Sequence, residues 1–477
     1  MRESENRLNG GVSVGGVAKT TRKNLRIGII EGLLSTPYSV AVVPGSFIIA
    51  ALITQWFGIG KSSFGWIVSM PSWTNVLQAV LLPMVARGMT PKGLVLGMGW
   101  FNVVLWALMA ALIGFLPRND SPVTIAFFLG FFFFASASAA LQVVGWITWV
   151  REWVPAKIRG TYLGMRNSWM GVATMVFLAL VMMVFKNHKD SLPPYLWVLG
   201  AVVVGRLLGL LWMRGIRTRR DGLALTAPKI TQALRDCRAV AGLPLFIFFS
   251  AWMNFWMGFT GPFGSVFCFE ELGLDPGVFA VFTALAALSG ILGWIFWGRI
   301  SDRAGNIPVI VVGLLLWELS NLIWVGLVPS NAWLLYPMFV WAGFFSVAFF
   351  MGSFNLLLNL APKKTSMSAI SIHLAVTALA SAIAPIIGGF LLEEFLEHRG
   401  GGILIYHIGF AMKSVSILLG LLFLLPIREP GRGPRRSMPV ALRAISQTMA
   451  TQGLELFLNL IPMRNGPTKK RHAKTLE

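Results

Sequence analysis

The sequence has few charged residues, few acidic residues and almost no cysteine. Only 12% of its 477 residues are charged, and 19 Asp and Glu stand against 40 Lys and Arg. A charged fraction this low excludes the surface of an ordinary soluble domain. The two cysteines, Cys237 and Cys268, fall on opposite sides of the membrane in the topology below, which excludes a disulfide within the chain.

Catalytic and metal-binding patterns are also missing. The five histidines are scattered, none stands in HExxH or HxxxxD spacing, and the phosphate-binding pattern GxxxxGK[ST] is absent. These absences argue against a membrane-embedded enzyme and against a metal or cofactor site. We therefore expect a protein that is not an enzyme and needs no cofactor.

Apolar residues dominate what is present. Hydrophobic residues make up 56% of the chain, and the mean hydropathy is +0.70. A membrane-spanning helix needs about 20 apolar residues. Stretches of that length begin near Ile27, Phe64, Gly93, Val123, Gly160, Tyr195, Leu243, Gly277, Ile307, Trp333, Ser368 and Ile403. Twelve spans are predicted, in an all-α, multi-pass membrane protein.

The basic residues fix an orientation. Connections after even-numbered spans hold most of them, including seven from Arg214 to Arg238, whereas the odd connections hold few and include the acidic stretches FEELGLD and LLEEFLE. Because Lys and Arg are retained on the cytoplasmic side, both termini are expected there, in a bacterial inner (cytoplasmic) membrane. Most of the net charge of +21 then belongs to one membrane face. It does not indicate nucleic-acid binding.

The longest internal connection divides six spans from six. We predict a cytoplasmic N-terminal tail at 1–26, a six-helix bundle at 27–213, a cytoplasmic middle loop at 214–242, a second six-helix bundle at 243–427 and a basic tail at 428–477. Apolar residues recur at near-helical spacing within 440–461 of that tail. An interfacial amphipathic helix and a disordered segment are both compatible with this composition.

The two halves show a weak internal repeat. VLGMGWFNVVLW aligns with VVGLLLWELSNL, pairing Gly97 with Gly313 and Asn102 with Glu318. WVPAKIRGTYLGMRN aligns with NLAPKKTSMSAISIH, pairing Pro155 with Pro362. Both matches fall at the same ordinal position in each half, which predicts two pseudo-symmetric bundles.

The stretch GRISDRAGN, between the eighth and ninth spans, resembles the loop signature of the major facilitator superfamily. Gly298, Asp302, Arg303 and Gly305 match that signature, but in the first half Ala86 stands where Asp302 has its counterpart. VPAKIRGTYLGMRN is similar to the family's loop after the fourth span. The resemblance covers the chain to about residue 428 and implies twelve helices in two bundles around a central cavity.

The resemblance also implies a function. We expect a secondary active transporter that moves a small organic solute by alternating access, inward or outward, with protons or another coupling ion as a candidate partner. A neutral sugar-like or amphiphilic solute is expected, a multidrug or lipid exporter of the same fold is the alternative, and a channel, receptor or enzyme is the alternative class. The protein is expected to be a monomer in the lipid bilayer.

Charged residues within the spans are the candidates for coupling and gating. Such residues are costly in lipid and need partners. Glu31 and Arg166 are predicted to pair near the inner mouth, either as a proton-coupled gate or as a static packing pair. Asp302 and Arg303, flanked by Gly298 and Gly305, are predicted to form a conformational latch, for which an ordinary basic loop is the alternative.

Glu318 and Lys413 reach the middle of the bilayer on the ninth and twelfth spans, since each residue of a helix rises about 1.5 Å. A structural ion pair is predicted for them, because these spans support one half in the resembled fold rather than line its cavity. Asn102 and Arg206 occupy matching depths in the third and sixth spans, and the same interpretation is applied to them.

Amides and aromatics are the candidates for the substrate cavity, which the first, fourth, seventh and tenth spans line in the resembled fold. Amides in hydrocarbon need partners, and aromatic faces suit sugars or amphiphiles. In the seventh span the Trp252 and Trp256 face and the Asn254 face point apart, so only one of them can line the cavity. The predicted binding residues are Tyr38, Asn75, Gln78, Gln142, Trp252, Asn254, Trp256 and Asn355.

Overall fold

The computed structural model describes residues 14–42, 45–85, 89–155, 158–186, 191–218, 234–235, 237–361, 366–399 and 402–429. Helices make up almost all of this part of the chain. The predicted amphipathic helix of the basic tail lies outside the described residues. So do the side chains of Arg303 and of residues 86–88.

The helices of the N-terminal half are α1 (Val14–Leu34), α2 (Thr36–Ala41), α3 (Phe47–Ala51), α4 (Lys61–Val85), α5 (Pro91–Leu112), α6 (Pro122–Trp153), α7 (Arg159–Phe185) and α8 (Pro193–Met213). Those of the C-terminal half are α9 (Leu243–Thr260), α10 (Phe263–Glu270), α11 (Pro276–Ala304), α12 (Asn306–Asn321), α13 (Leu335–Leu360), α14 (Ser366–Arg399) and α15 (Gly402–Gly420).

Several of these helices begin at a proline that follows a capping residue. The side chains of Thr90, Ser121 and Asp275 accept hydrogen bonds from the first-turn amides of α5, α6 and α11, and each is followed directly by proline. Proline suits a first helical position because its missing N–H would have no partner there. The sequence therefore sets these helix starts locally.

Ten segments of the described chain are long and apolar enough to cross a membrane, which establishes a multi-pass helical protein. The first predicted span instead consists of α1, α2 and α3, and a π-helical turn, Leu52–Trp56, extends α3. α1 starts at Val14, well before the predicted Ile27. α4, the second predicted span, is 25 residues long. The count of twelve spans stays a prediction for these two.

The two halves pack side by side through a small set of helices. α4 lies along α14, α7 lies along α11, and α3 touches α10 and α11. All other extensive helix pairs, such as α5 with α6 and α11 with α13, stay within one half. We call the face of the molecule that holds Lys61, Glu270 and Glu393 the far side, and the opposite face, where α1 begins and α15 ends, the terminal side.

Buried apolar residues join the halves on the far side. One cluster there contains Phe57, Phe64 and Phe128 of the N-terminal half together with Phe263 and Phe267 of the C-terminal half. Of the other three clusters formed by described residues, one lies wholly in the N-terminal half and two lie wholly in the C-terminal half, all on the terminal side. The described core is therefore shared between the halves at one face only.

Glycines allow the close approach of α4 and α14. A Cβ atom at Gly65 would overlap the carbonyl oxygen of Pro385, and one at Gly389 would overlap the carbonyl oxygen of Lys61. Two backbones can come this close only where no side chain intervenes. Two residues of α14, Pro385 and Gly389, therefore lie at close backbone contacts that cross between the halves.

Candidate functional site

A buried network of charged groups lies inside the N-terminal half. Arg166 donates from Nη2 to Glu31 Oε2 at 2.8 Å and from Nε to the carbonyl oxygen of Gly28 at 3.0 Å. Glu31 is 4% exposed and Arg166 9% exposed. The contact predicted between these two residues is therefore present, while its role in coupling stays a prediction.

Arg206 belongs to the same network. The sequence did not indicate this contact of Arg206 with Glu31. Its Nη1 lies 3.7 Å from Glu31 Oε1 and donates to Ser35 Oγ at 3.3 Å, and its Nη2 donates to Gln142 Oε1. The predicted association of Arg206 with Asn102 is not observed. Asn102 donates instead to Ser138 Oγ and to the carbonyl oxygen of Ala135. Position along the helix did not indicate which face of its helix each residue presents.

Small residues make room for this network. A Cβ atom at Gly32 would lie 3.0 Å from Arg166 Nε, and one at Gly209 would lie 2.7 Å from Ser35 Oγ. Ser35 itself donates to Glu31 Oε1 at 3.1 Å, one helical turn along the chain. The first span thus brings a carboxylate, a hydroxyl and a glycine to one face, where two guanidinium groups meet them.

Aromatic rings cover the two arginines. The guanidinium carbon of Arg166 lies 5.1 Å from the ring centre of Trp146, and that of Arg206 lies 4.5 Å from the ring centre of Tyr38. Tyr38 in turn packs edge to face against Trp106 inside the bundle. Ring faces attract cations, so these contacts add to the stabilisation of both charges.

Glu318 and Lys413 lie near each other in the C-terminal half, but no salt bridge joins them directly. Lys413 experiences the charge of Glu318 electrostatically. Glu318 Oε1 accepts a hydrogen bond from Asn321 at 2.8 Å, whereas its buried Oε2 has no hydrogen-bond partner. Two opposite charges are therefore neighbours, without the direct contact of the predicted ion pair.

Several predicted substrate-binding residues contact their own bundle. Gln142 also donates to the carbonyl oxygen of Val95, and Gln78 donates to that of Ala140. Trp252 donates to the carbonyl oxygen of Ser416, whereas Asn254 accepts from Ser381. Trp256 packs against the ring of Trp252. Asn75 is exposed and Asn355 is partly buried. A binding role stays a prediction for all of these residues and for Tyr38.

The loop that resembles the family signature makes a sharp turn between α11 and α12. Gly305 is the single residue between them and has φ +100°, a conformation that favours glycine. Next to it, Asn306 donates from its backbone and its side chain to the Glu429 carboxylate, which also accepts from Asn359 at 3.0 Å. A Cβ atom at Gly298 would meet only the sulfur of Met351, at 3.9 Å, and Asp302 is exposed. The latch role stays a prediction.

A second polar cluster connects the two halves on the far side. Lys61 Nζ of α4 contacts Glu270 Oε2 of α10 at 2.8 Å, and the backbone amide of Ser62 donates to Glu393 Oε2 of α14 at 2.9 Å. Tyr406 donates to the same Glu270 carboxylate at 3.3 Å. We call this cluster the far-side seam. Sequence reasoning did not assign it, although a lone lysine facing two acidic loops was the available signal.

Glu271, next to the far-side seam, has a perturbed acidity. Burial and then the neighbouring Glu270 carboxylate raise the pKa of Glu271, and Lys61 opposes this shift. Both halves therefore contribute to the electrostatics of one contact.

Among the described residues, no group of three His, Cys, Asp or Glu side chains could hold a metal ion.

Comparison with known proteins places this architecture. Residues 244–462 match the family profile described as Major Facilitator Superfamily. No curated protein sequence matches the chain significantly. Among solved structures, a point mutant of the nucleoside transporter NupG superposes with a TM-score of 0.66 at 14% identity, over 85% of this chain and 100% of that one.

Two further solved structures show the same fold. A bacterial homologue of the human lysosomal transporter Spinster, inward-facing and unoccupied, gives a TM-score of 0.62 at 14% identity, over 91% of this chain and 99% of that one. A D-xylose-proton symporter gives 0.60 at 16% identity, over 86% and 99%. At these identities the likeness concerns the fold.

Proposed function

Since this chain has the Major Facilitator Superfamily fold, and its C-terminal half matches the family's profile, we propose that it is a secondary active transporter. It moves a small organic solute across the membrane by alternating access. The similar structures are those of transporters for nucleosides and for xylose with protons, which supports a solute of that size.

The observation that carries this proposal is the one-sided core. Two bundles that are joined by buried apolar contacts on the far side, and separately packed on the terminal side, can rock about the space between them. With both termini in the cytoplasm, the far side is the outer face. The described conformation is then inward-facing, as is the conformation named for the Spinster homologue.

Glu31 and Arg166 are the proposed coupling pair. Their contact lies on the terminal side of the first and fifth spans, and protonation of Glu31 would remove the charge that holds Arg166. Protons are the coupling ion that this arrangement favours. The solute has a sugar-like or amphiphilic body, and export of amphiphilic drugs or lipids is the alternative within the same fold.

A transport assay with a conformational lock tests the proposal. Purified protein is first screened by thermal shift against sugars, nucleosides, organic acids and amphiphilic drugs, because bound ligand raises the apparent stability. The best labelled solute then serves in counterflow experiments with proteoliposomes. Saturable counterflow supports a transporter, whereas ohmic current supports a channel and a chemically altered solute an enzyme.

The lock is a thiol cross-link between Ser62→Cys and Glu393→Cys, placed across the far-side seam in a variant without Cys237 and Cys268. Because this link holds the two halves together on one face, we expect counterflow to stop and to recover on reduction. The control link joins Leu327→Cys and His407→Cys, two positions in one half. In the native protein His407 Nε2 lies 2.8 Å from the carbonyl oxygen of Leu327. Undiminished counterflow in the locked protein would contradict alternating access.

A further inference from the structure

The charged network of the N-terminal half carries an uncompensated positive charge. Two guanidinium groups, of Arg166 and Arg206, share one carboxylate, that of Glu31. Within the part of the chain that the structure describes, no other carboxylate lies within salt-bridge distance of either arginine. All three side chains are at most a tenth exposed. A buried charge without a partner costs several kcal/mol, so this arrangement favours the arrival of an anion.

Hydrogen-bond donors are also left over. Each guanidinium carries about five N–H donors. Arg166 uses two of them, toward Gly28 and Glu31, and Arg206 uses two, toward Ser35 and Gln142. Nε of Arg206 is buried and has no partner. The network can therefore donate to further oxygen atoms without breaking its present contacts.

Arg166 is buried, but it lies beside exposed residues of its own helix. Its helix, α7, is one of the two long helices through which the N-terminal half borders the C-terminal half. On that helix Met165 is 47% exposed and Trp169 51% exposed. Arg166 lies in the second turn of α7, on the terminal side, where the described core does not join the halves. Trp146, partly buried beside its guanidinium, offers a ring face to the body of a solute.

Glu31 is placed to change partners. One of its oxygens contacts Arg166 at 2.8 Å, and the other already lies 3.7 Å from Arg206. A small rotation of the carboxylate would transfer its charge from the first arginine to the second. Arg166 would then present a planar fork to an incoming acid, a geometry that matches carboxylates and phosphates.

We propose that Arg166 binds an acidic group of the solute, a carboxylate or a phosphate, and that Glu31 moves toward Arg206 as this group arrives. This inference rests on the proposed transport function and names the chemical class of its solute: a sugar-like or amphiphilic body that carries an acidic group. Arg206 is a positioning residue: it holds the Glu31 carboxylate once that carboxylate has moved away from Arg166.

Matched pairs of probes test the inference by binding alone. Gluconate is compared with sorbitol, and glycerol 3-phosphate with glycerol, by calorimetry on full-length protein in uncharged detergent. We expect an acidic probe to bind and its neutral counterpart not to bind. Glu31→Gln removes the competing carboxylate and should tighten anion binding about tenfold, whereas Arg166→Gln should weaken it at least about tenfold.

The control is Lys413→Gln, which removes a membrane-embedded cation from the other half and should leave the anion affinity unchanged. A purely structural role of the Glu31 pair predicts that Glu31→Gln weakens binding as Arg166→Gln does, and that result would overturn the inference. So would the absence of acidic-probe binding to both the native protein and Glu31→Gln. Should Glu31→Gln not fold, Glu31→Asp, which withdraws the carboxylate by one methylene, must also tighten binding.

Two further experiments are needed. One identifies the source of the acidic group, and the other separates this inference from the proposed transport function. Nanodiscs of phosphatidylglycerol are compared with nanodiscs of phosphatidylcholine: loss of gluconate binding only in the former identifies a lipid headgroup as the natural acid at this site. Binding is measured without a gradient. A protein that binds gluconate but shows no counterflow would overturn the transport function alone, and counterflow restricted to neutral solutes would overturn this inference alone.

Discussion

Glu31 links the two arginines of its network. It touches Arg166 and accepts from Ser35, its second oxygen faces Arg206, and its charge acts on Tyr162. Arginine keeps its charge, and tyrosine stays neutral, at ordinary pH. Glu31 is therefore the one member of this group whose change of charge could couple protons to movement.

Replacement of Glu31 by Gln should remove pH dependence from transport. Native counterflow is expected to depend on pH, because a proton on Glu31 would weaken its hold on Arg166, and the variant should respond much less. Rates in proteoliposomes at equal pH on both sides provide the measurement. Glu318→Gln, a buried acid in the other half, is the control and should keep the native profile. A native profile in Glu31→Gln would remove the coupling role.

At the scale of helices, the contact of α4 with α14 decides how closely the halves meet on the far side. The contact depends on two glycines that face carbonyl oxygens, Gly65 toward Pro385 and Gly389 toward Lys61. Neither carbonyl oxygen can move without its helix. These helices must separate whenever the far side opens, so their packing stabilises one conformation selectively.

A single methyl group at Gly65 should shift that balance. Gly65→Ala forces α4 and α14 apart and should increase the labelling of Ser62→Cys by a membrane-impermeant maleimide severalfold, since about one kcal/mol changes an equilibrium about fivefold. Gly97→Ala is the matched control, because a Cβ atom there meets nothing within 4 Å and labelling should not change. Equal labelling in both variants would show that this contact does not control opening.

At the scale of the whole molecule, both faces combine charges with packing, but only the far-side seam joins the halves by a described ion pair. Lys61 and Glu270 come from different halves, and Glu271 adds a second carboxylate beside them. Opening the seam would expose these groups to water. The conformational balance should therefore depend on pH.

The raised pKa of Glu271 determines the direction in which pH shifts the balance between the closed and the open far side. A carboxyl group that is harder to ionise in the closed seam binds its proton more tightly there than in the open state, so acidification stabilises the closed far side. This stabilisation is complete at low pH and is lost as the pH rises through the raised pKa, above the ordinary value of about 4.3. Labelling of Ser62→Cys should fall on acidification. Glu271→Gln should reduce that pH response, and an unreduced response would assign it to another group.

The sequence alone determined the membrane class, the helical spans after the first two, the resemblance carried by GRISDRAGN and the meeting of Glu31 with Arg166. Apolar length, basic loops and helix caps are local properties, and a costly charge in lipid needs a partner at the same depth.

Only the tertiary structure decided which face of a helix meets which neighbour. It brought Arg206 to Glu31 instead of Asn102, kept Glu318 from direct contact with Lys413, turned Gln142 and Trp252 toward their own bundles, and joined the halves at the far-side seam. In helices that are apolar on nearly every side, periodicity gives no inward direction. Rotation about each helix axis is then fixed by packing between segments far apart in the sequence.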